Sequence, residues 1–93
     1  MERFINDDQG YLRWIKSYPR GFVVNPLSPP TSKHMTLHRS TCRFISGVPS
    51  RGRRWTSFPK TCSMDLGELR RWAEGEIGGR LFPCRFCNPP IGG

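Results

Sequence analysis

Late in the chain stands Pro83-Cys84-Arg85-Phe86-Cys87-Asn88-Pro89, two cysteines spaced by two residues and fenced by prolines. Two thiolates at this spacing reach one tetrahedral ion across a single tight turn. Redox pairs share the spacing, but they open a helix in a thioredoxin-like βαβ setting, and no helix signal follows Cys87 here. The knuckle sits in a chain with little else to hold it together. Only 35% of its 93 residues are hydrophobic, and nine prolines and ten glycines keep its regular elements short. A chain of this length makes a single domain, residues 1–93, whose core is marginal without a disulfide or a metal. The polar stretch Met1 to Gly10 has no signal-peptide character, and no apolar run approaches the ~20 residues of a membrane span. The expected compartment is the reducing cytoplasm, where clustered cysteines bind metal more often than they pair as disulfides. Zn2+ is therefore the expected cofactor.

The other half of a four-ligand site has to lie upstream. His38-Arg39-Ser40-Thr41-Cys42 offers a histidine and a cysteine on either side of one turn, a spacing suited to a shared ion. Cys62, where a strand gives way to a helix, is the competing fourth ligand. It also fits a buried, unligated role, because a free cysteine behaves as a small hydrophobe. His34 has no matching spacing and reads as a loop residue.

Apolar spacing supplies the scaffold. Residues 7–18 read as a helix capped by Asp7 or Asp8, with Leu12, Ile15 and Tyr18 on one face and Pro19 as the stop. Gly21 to Asn25 and Met35 to Arg39 read as strands of a hairpin. Trp55 to Cys62 reads as a third strand, weakened by Pro59. Pro26 to Ser32 and Ser46 to Arg54 read as loops. Ser63 to Ile77 reads as a helix capped by Ser63 or Asp65, with the stripe Leu66, Leu69, Trp72, Ala73 and Ile77, ended by Gly78 and Gly79. The expectation is an α+β, zinc-stapled domain with a short antiparallel sheet of about three strands and two helices. Its core would hold Leu12, Ile15, Phe22, Val24, Phe44, Leu66, Leu69 and Trp72.

Charge points to the class of partner. The net charge is +8, and between Asp8 and Asp65 there are ten basic residues and no acidic one. Such a sustained positive field attracts polyanions, nucleic acid first. Arginines and lysines neutralise phosphates, and arginine also reads guanine edges in pairs of bonds. The residues expected to contact nucleic acid are Arg39, Arg43, Arg51, Arg53, Arg54, Trp55, Lys60 and Arg85, with Trp55 a candidate to stack on a base or to fill the core. Catalysis is not expected. The seven carboxylates lie near the start or around the last helix, and no G-x-S-x-G, H-x-E deaminase or H-N-H nuclease pattern occurs.

The stretch L-H-R-S-T-C-R-F-I followed by L-F-P-C-R-F-C-N-P-P resembles the zinc domain of the Ada alkylation-response protein and its small relatives, over about residues 37–90. Residues 1–36, with the first helix and strand, lie outside the likeness. The wider pattern, Y-L-x-W-I, G-F-V-V-N, L-H-R-x-x-C-R-x-I, then K-x-C-S before E-L-x-x-W-A, resembles small bacterial or phage proteins. The Ada resemblance implies that Cys42, Cys84 and Cys87 are ligands and sets His38 where the family's first ligand stands, ahead of Cys62. It also implies a change of role. The Ada protein's first ligand is a methyl-accepting cysteine, and a histidine cannot act as that thiolate. What the resemblance leaves is a closed structural zinc site on a DNA-binding scaffold. The expected function is a non-enzymatic zinc module that binds DNA through a basic surface. The rival is a protein-interaction module, such as a phage or bacterial modulator of a partner protein with an acidic face. Neither a membrane nor a small-molecule substrate is expected.

Overall fold

The computed structural model describes residues 1–26, 34–43, 45, 56, 59–77 and 80–89. Five strands and two helices follow one another: β1 (Glu2–Phe4), α1 (Asp8–Ser17), β2 (Phe22–Pro26), β3 (His34–Arg39), β4 (Lys60–Ser63), α2 (Leu66–Trp72), a π-helical turn (Ala73–Ile77) and β5 (Arg80–Pro83). The strands form one sheet in the order β1-β4-β2-β3-β5. Its first three pairings are antiparallel, whereas β5 runs parallel to β3. The fold class is α+β as expected, but the sheet is mixed and has two strands more than the alternation signals. Both additions are edge strands, and neither carries a period-2 pattern. His34, read as a loop residue, opens β3 opposite Arg80.

The run Phe22-Val23-Val24 is apolar on consecutive positions because both faces of the sheet are covered. Val23 packs on one face with Tyr11 and Ile15 of α1, and with Cys42, Ile45, Cys62 and Cys84. Val24 packs on the other with Met35, Leu37 and Leu69 of α2, with Phe22, Leu66, Trp72 and Leu81 at its margin. Of the expected core, Ile15, Val24 and Leu69 are buried, and Leu12, Phe22, Leu66 and Trp72 pack half-buried against it. Phe44 lies outside the described residues.

Local chemistry sets the helix ends. Asp7 caps α1 by accepting from the Gly10 N–H at 3.0 Å. A Cβ on Gly10 would lie 2.3 Å from the Asp7 carboxylate, so any larger residue there would push the capping side chain out of place. Thr56, distant in sequence, anchors the same end: its N–H and hydroxyl both donate to Asp8 Oδ1, at 2.9 and 2.6 Å. Asp65 caps α2, accepting from the Gly67 and Glu68 N–H groups. The second helix therefore begins at Leu66 rather than Ser63, which closes β4. Its regular part ends at Trp72, and the π turn that follows contains Gly75, a poor helix former.

Candidate metal centre

β3 and β5 lie side by side and parallel, so both deliver their C-terminal ends to the same end of the sheet. The alternation along β3 turns His38 to the α1 face, opposite Val23. Beyond β3 the chain folds back at once. The Cys42 N–H donates to the Arg39 carbonyl at 2.9 Å and the Ile45 N–H to the Cys42 carbonyl at 3.1 Å, a tight double turn that returns Cys42 towards His38. The end of β5 is tied across by the Cys84 N–H, which donates to the Leu37 carbonyl at 2.9 Å. The knuckle from Cys84 to Cys87 closes with the Asn88 N–H on the Cys84 carbonyl at 2.8 Å, and Asn88 takes φ 47°. Asparagine tolerates this left-handed conformation better than other non-glycine residues.

Arg39 clamps the two segments. Its backbone N–H donates to Cys87 Sγ at 3.3 Å, its Nε to the Cys87 carbonyl at 3.0 Å and its Nη2 to the Asn88 carbonyl at 3.2 Å. The result is a cluster of one donor atom each from His38, Cys42, Cys84 and Cys87, all within 4.8 Å of one another. Ligands at about 2.0–2.3 Å from a tetrahedral zinc ion lie roughly 3.4–3.8 Å apart, so the cluster is compatible with a metal ion after a small contraction.

Three further observations fit this donor set. His38 is 6% exposed, and its Nδ1 has no hydrogen-bond partner among the described residues. A buried polar nitrogen left so costs free energy unless something binds it. Burial, and then the nearby Lys60 charge, hold His38 down at about 4, so the ring is neutral at neutral pH. Burial by itself would raise Cys84. The N–H groups of Cys87 and Phe86, followed by the thiols of Cys87 and Cys42, outweigh it and keep the group below its ordinary value. A neutral imidazole and a thiol that ionises more readily both favour metal binding, which needs deprotonated ligands.

Cys62 is not part of the cluster. It lies in β4 between Glu2 and Val23, fully buried against Tyr11 and Ile15. Burial pushes its thiol up to about 12, with Lys60 opposing and Glu2 assisting, so it remains a protonated, core-filling side chain. Tyr11 lies on the same face. Its hydroxyl donates to the Ile45 carbonyl, and burial, reinforced by Cys62, Cys42 and Asp8, raises its pKa. Sequence reasoning missed this tyrosine, which anchors the turn carrying Cys42. Its only signal was a place beside the helical stripe.

The expected nucleic-acid residues divide. Arg39, Arg43 and Arg85 are exposed around the knuckle, and the Arg43 guanidinium lies 4.5 Å from the centre of the Phe86 ring. Arg51, Arg53, Arg54 and Trp55 lie outside the described residues. Lys60 is a correction. It is 5% exposed within β4, on the face shared with Cys62, and burial lowers its pKa against the pull of Asp8 and Cys62. Strand alternation turns it inward, away from any phosphate at the surface.

Fold and cluster together define a small α+β protein with a candidate metal centre of three cysteines and one histidine. Among the described residues, no helix is long and apolar enough to cross a membrane. Compared with known protein families, curated proteins and solved structures, the chain shows no match.

Proposed function

We propose that the protein is a non-enzymatic zinc module in which His38, Cys42, Cys84 and Cys87 hold one Zn2+, and whose arginine-bearing face binds nucleic acid, DNA first. The observation that carries the metal reading is the convergence of four donor atoms from separate segments within 4.8 Å, with a buried His38 nitrogen lacking a partner. Four protein ligands fill a tetrahedral site and keep no position open for substrate, which favours a structural role. The Ada likeness supports the same reading through the order of the ligands along the chain, and a reducing compartment would keep the thiols competent. Bound zinc would tie β3 to β5, the one parallel contact in the sheet among the described residues.

The nucleic-acid part rests on charge. The chain carries +8, and Arg39, Arg43 and Arg85 are exposed around the cluster. These arginines offset the thiolates and extend a field suited to phosphates. Elemental analysis of the purified, reduced protein should find one zinc per chain, lost together with Cys84→Ser. Binding to duplex and single-stranded DNA should weaken steeply as salt rises. No retardation of either at low salt would refute the nucleic-acid reading and favour a partner protein with an acidic face.

A further inference from the structure

The knuckle forms one wall of a cleft of about 400 Å³, lined by Arg39, Thr41, Cys42, Arg43, Phe86 and Cys87. It is an open, shallow hollow rather than an enclosed pocket, so it offers faces to stack on. Its composition is unusual for a surface hollow. Phe86, at the tip of the knuckle, is 53% exposed although the chain has few large apolar residues to spare. Arg43 stands over the ring at 4.5 Å. The Arg39 guanidinium, held by the Cys87 and Asn88 carbonyls, has a fixed direction and uses two of its five N–H donors in those bonds. Thr41, exposed in the turn between the ligands, adds a hydroxyl.

An aromatic ring paired with a guanidinium presents flat surfaces to a planar, polarisable partner, and a second guanidinium close by suits a phosphate. A nucleobase with its own phosphate combines these two features, and such platforms recognise unpaired bases by stacking. In a duplex the base faces are already covered by neighbouring pairs.

We infer that this cleft seats one unpaired base of a single strand, stacked on the Arg43–Phe86 pair, with an adjoining phosphate on Arg39. The inference rests on the nucleic-acid reading above and deepens it by naming the strand form and the platform. Stacking is indifferent to the sugar, so DNA and RNA strands both satisfy it, and the tighter of the two identifies the natural ligand.

The test is fluorescence anisotropy at low salt with labelled oligothymidylate, oligouridylate, a duplex and an abasic phosphodiester strand of equal length. The intact single strands should bind about 5- to 150-fold more tightly than the abasic strand, the range expected for one stacked base. Phe86→Ala should erase that difference between intact and abasic strands. Phe86→Trp should restore it, with indole fluorescence quenched by the oligonucleotide. Zinc content and thermal midpoint, measured on each variant, verify the fold. Equal binding of intact and abasic strands, a tighter duplex, or a silent Phe86→Ala overturns the inference and leaves the nucleic-acid reading standing. If no polyanion binds at low salt, both fall.

Discussion

The two candidates for the fourth ligand predict opposite rankings for two alanine substitutions. Cys62→Ala removes one sulfur from a fully buried site packed against Tyr11, Ile15 and Val23. The loss is comparable to that of a buried methylene plus a small cavity, about 1–1.5 kcal/mol. For a domain of this size that lowers the thermal midpoint by roughly 4–12 °C, and zinc stoichiometry stays unchanged. His38→Ala removes one of the four proposed ligands. Structural zinc binding is worth about 10–16 kcal/mol at neutral pH, against a total stability of about 5–15 kcal/mol for ordinary domains. Losing even a quarter of the former, roughly 2.5–4 kcal/mol, consumes much of the margin of a core this thin. The His38→Ala protein should therefore lose its zinc and its cooperative unfolding transition, whereas His38→Cys, which supplies a thiolate instead, should keep both. Elemental analysis and thermal circular dichroism on all three variants read these outcomes. A His38→Ala protein with full zinc, or a Cys62→Ala protein without any, would refute the assignment.

Three other perturbations probe the scaffold. Tyr11→Phe leaves the Ile45 carbonyl without its buried hydroxyl donor; the denaturant midpoint should fall by an amount equivalent to about 1–3 kcal/mol at unchanged m-value. Asp65→Ala removes the acceptor of the Gly67 and Glu68 N–H groups and should cost about 1 kcal/mol, read by urea titration. Acid should act through His38, held at about 4 in the fold against an ordinary 6.5. Between those values the unfolded chain binds more protons, so stability falls as pH drops through the window and is fully present above it. Proton competition for the zinc ligands acts in the same direction. A zinc-loaded sample equally stable at pH 4.5 and pH 7 would contradict this.

Some of this architecture can be read from short stretches of chain. The Cys84–Cys87 knuckle is legible because two residues and a tight turn suffice to bring its thiols together. The His38 to Cys42 segment is legible for the same reason, the turn being made by bonds between residues 39 and 45. The cap of α1 at Asp7, the cap of α2 at Asp65 and the stripe through Leu69 and Ala73 likewise follow from contacts between near neighbours. The basic stretch is visible as composition, because long-range charge needs no particular fold to attract a polyanion.

Other features were decided by tertiary structure. β1 and β5 owe their existence to partners distant in sequence, and Glu-Arg-Phe and Arg-Leu-Phe-Pro carry no alternation of their own. The parallel contact of β5 with β3 brings Cys84 to the Leu37 carbonyl and hence to His38. Lys60, basic and next to a loop, was turned inward by the pleat of β4, and Cys62 was withdrawn into the core by the same strand. Turns, caps and charge are local or additive properties and survive translation from sequence to structure. Which strand pairs with which, and which face a side chain joins, depends on distant segments whose pairing gains nothing until the whole sheet assembles.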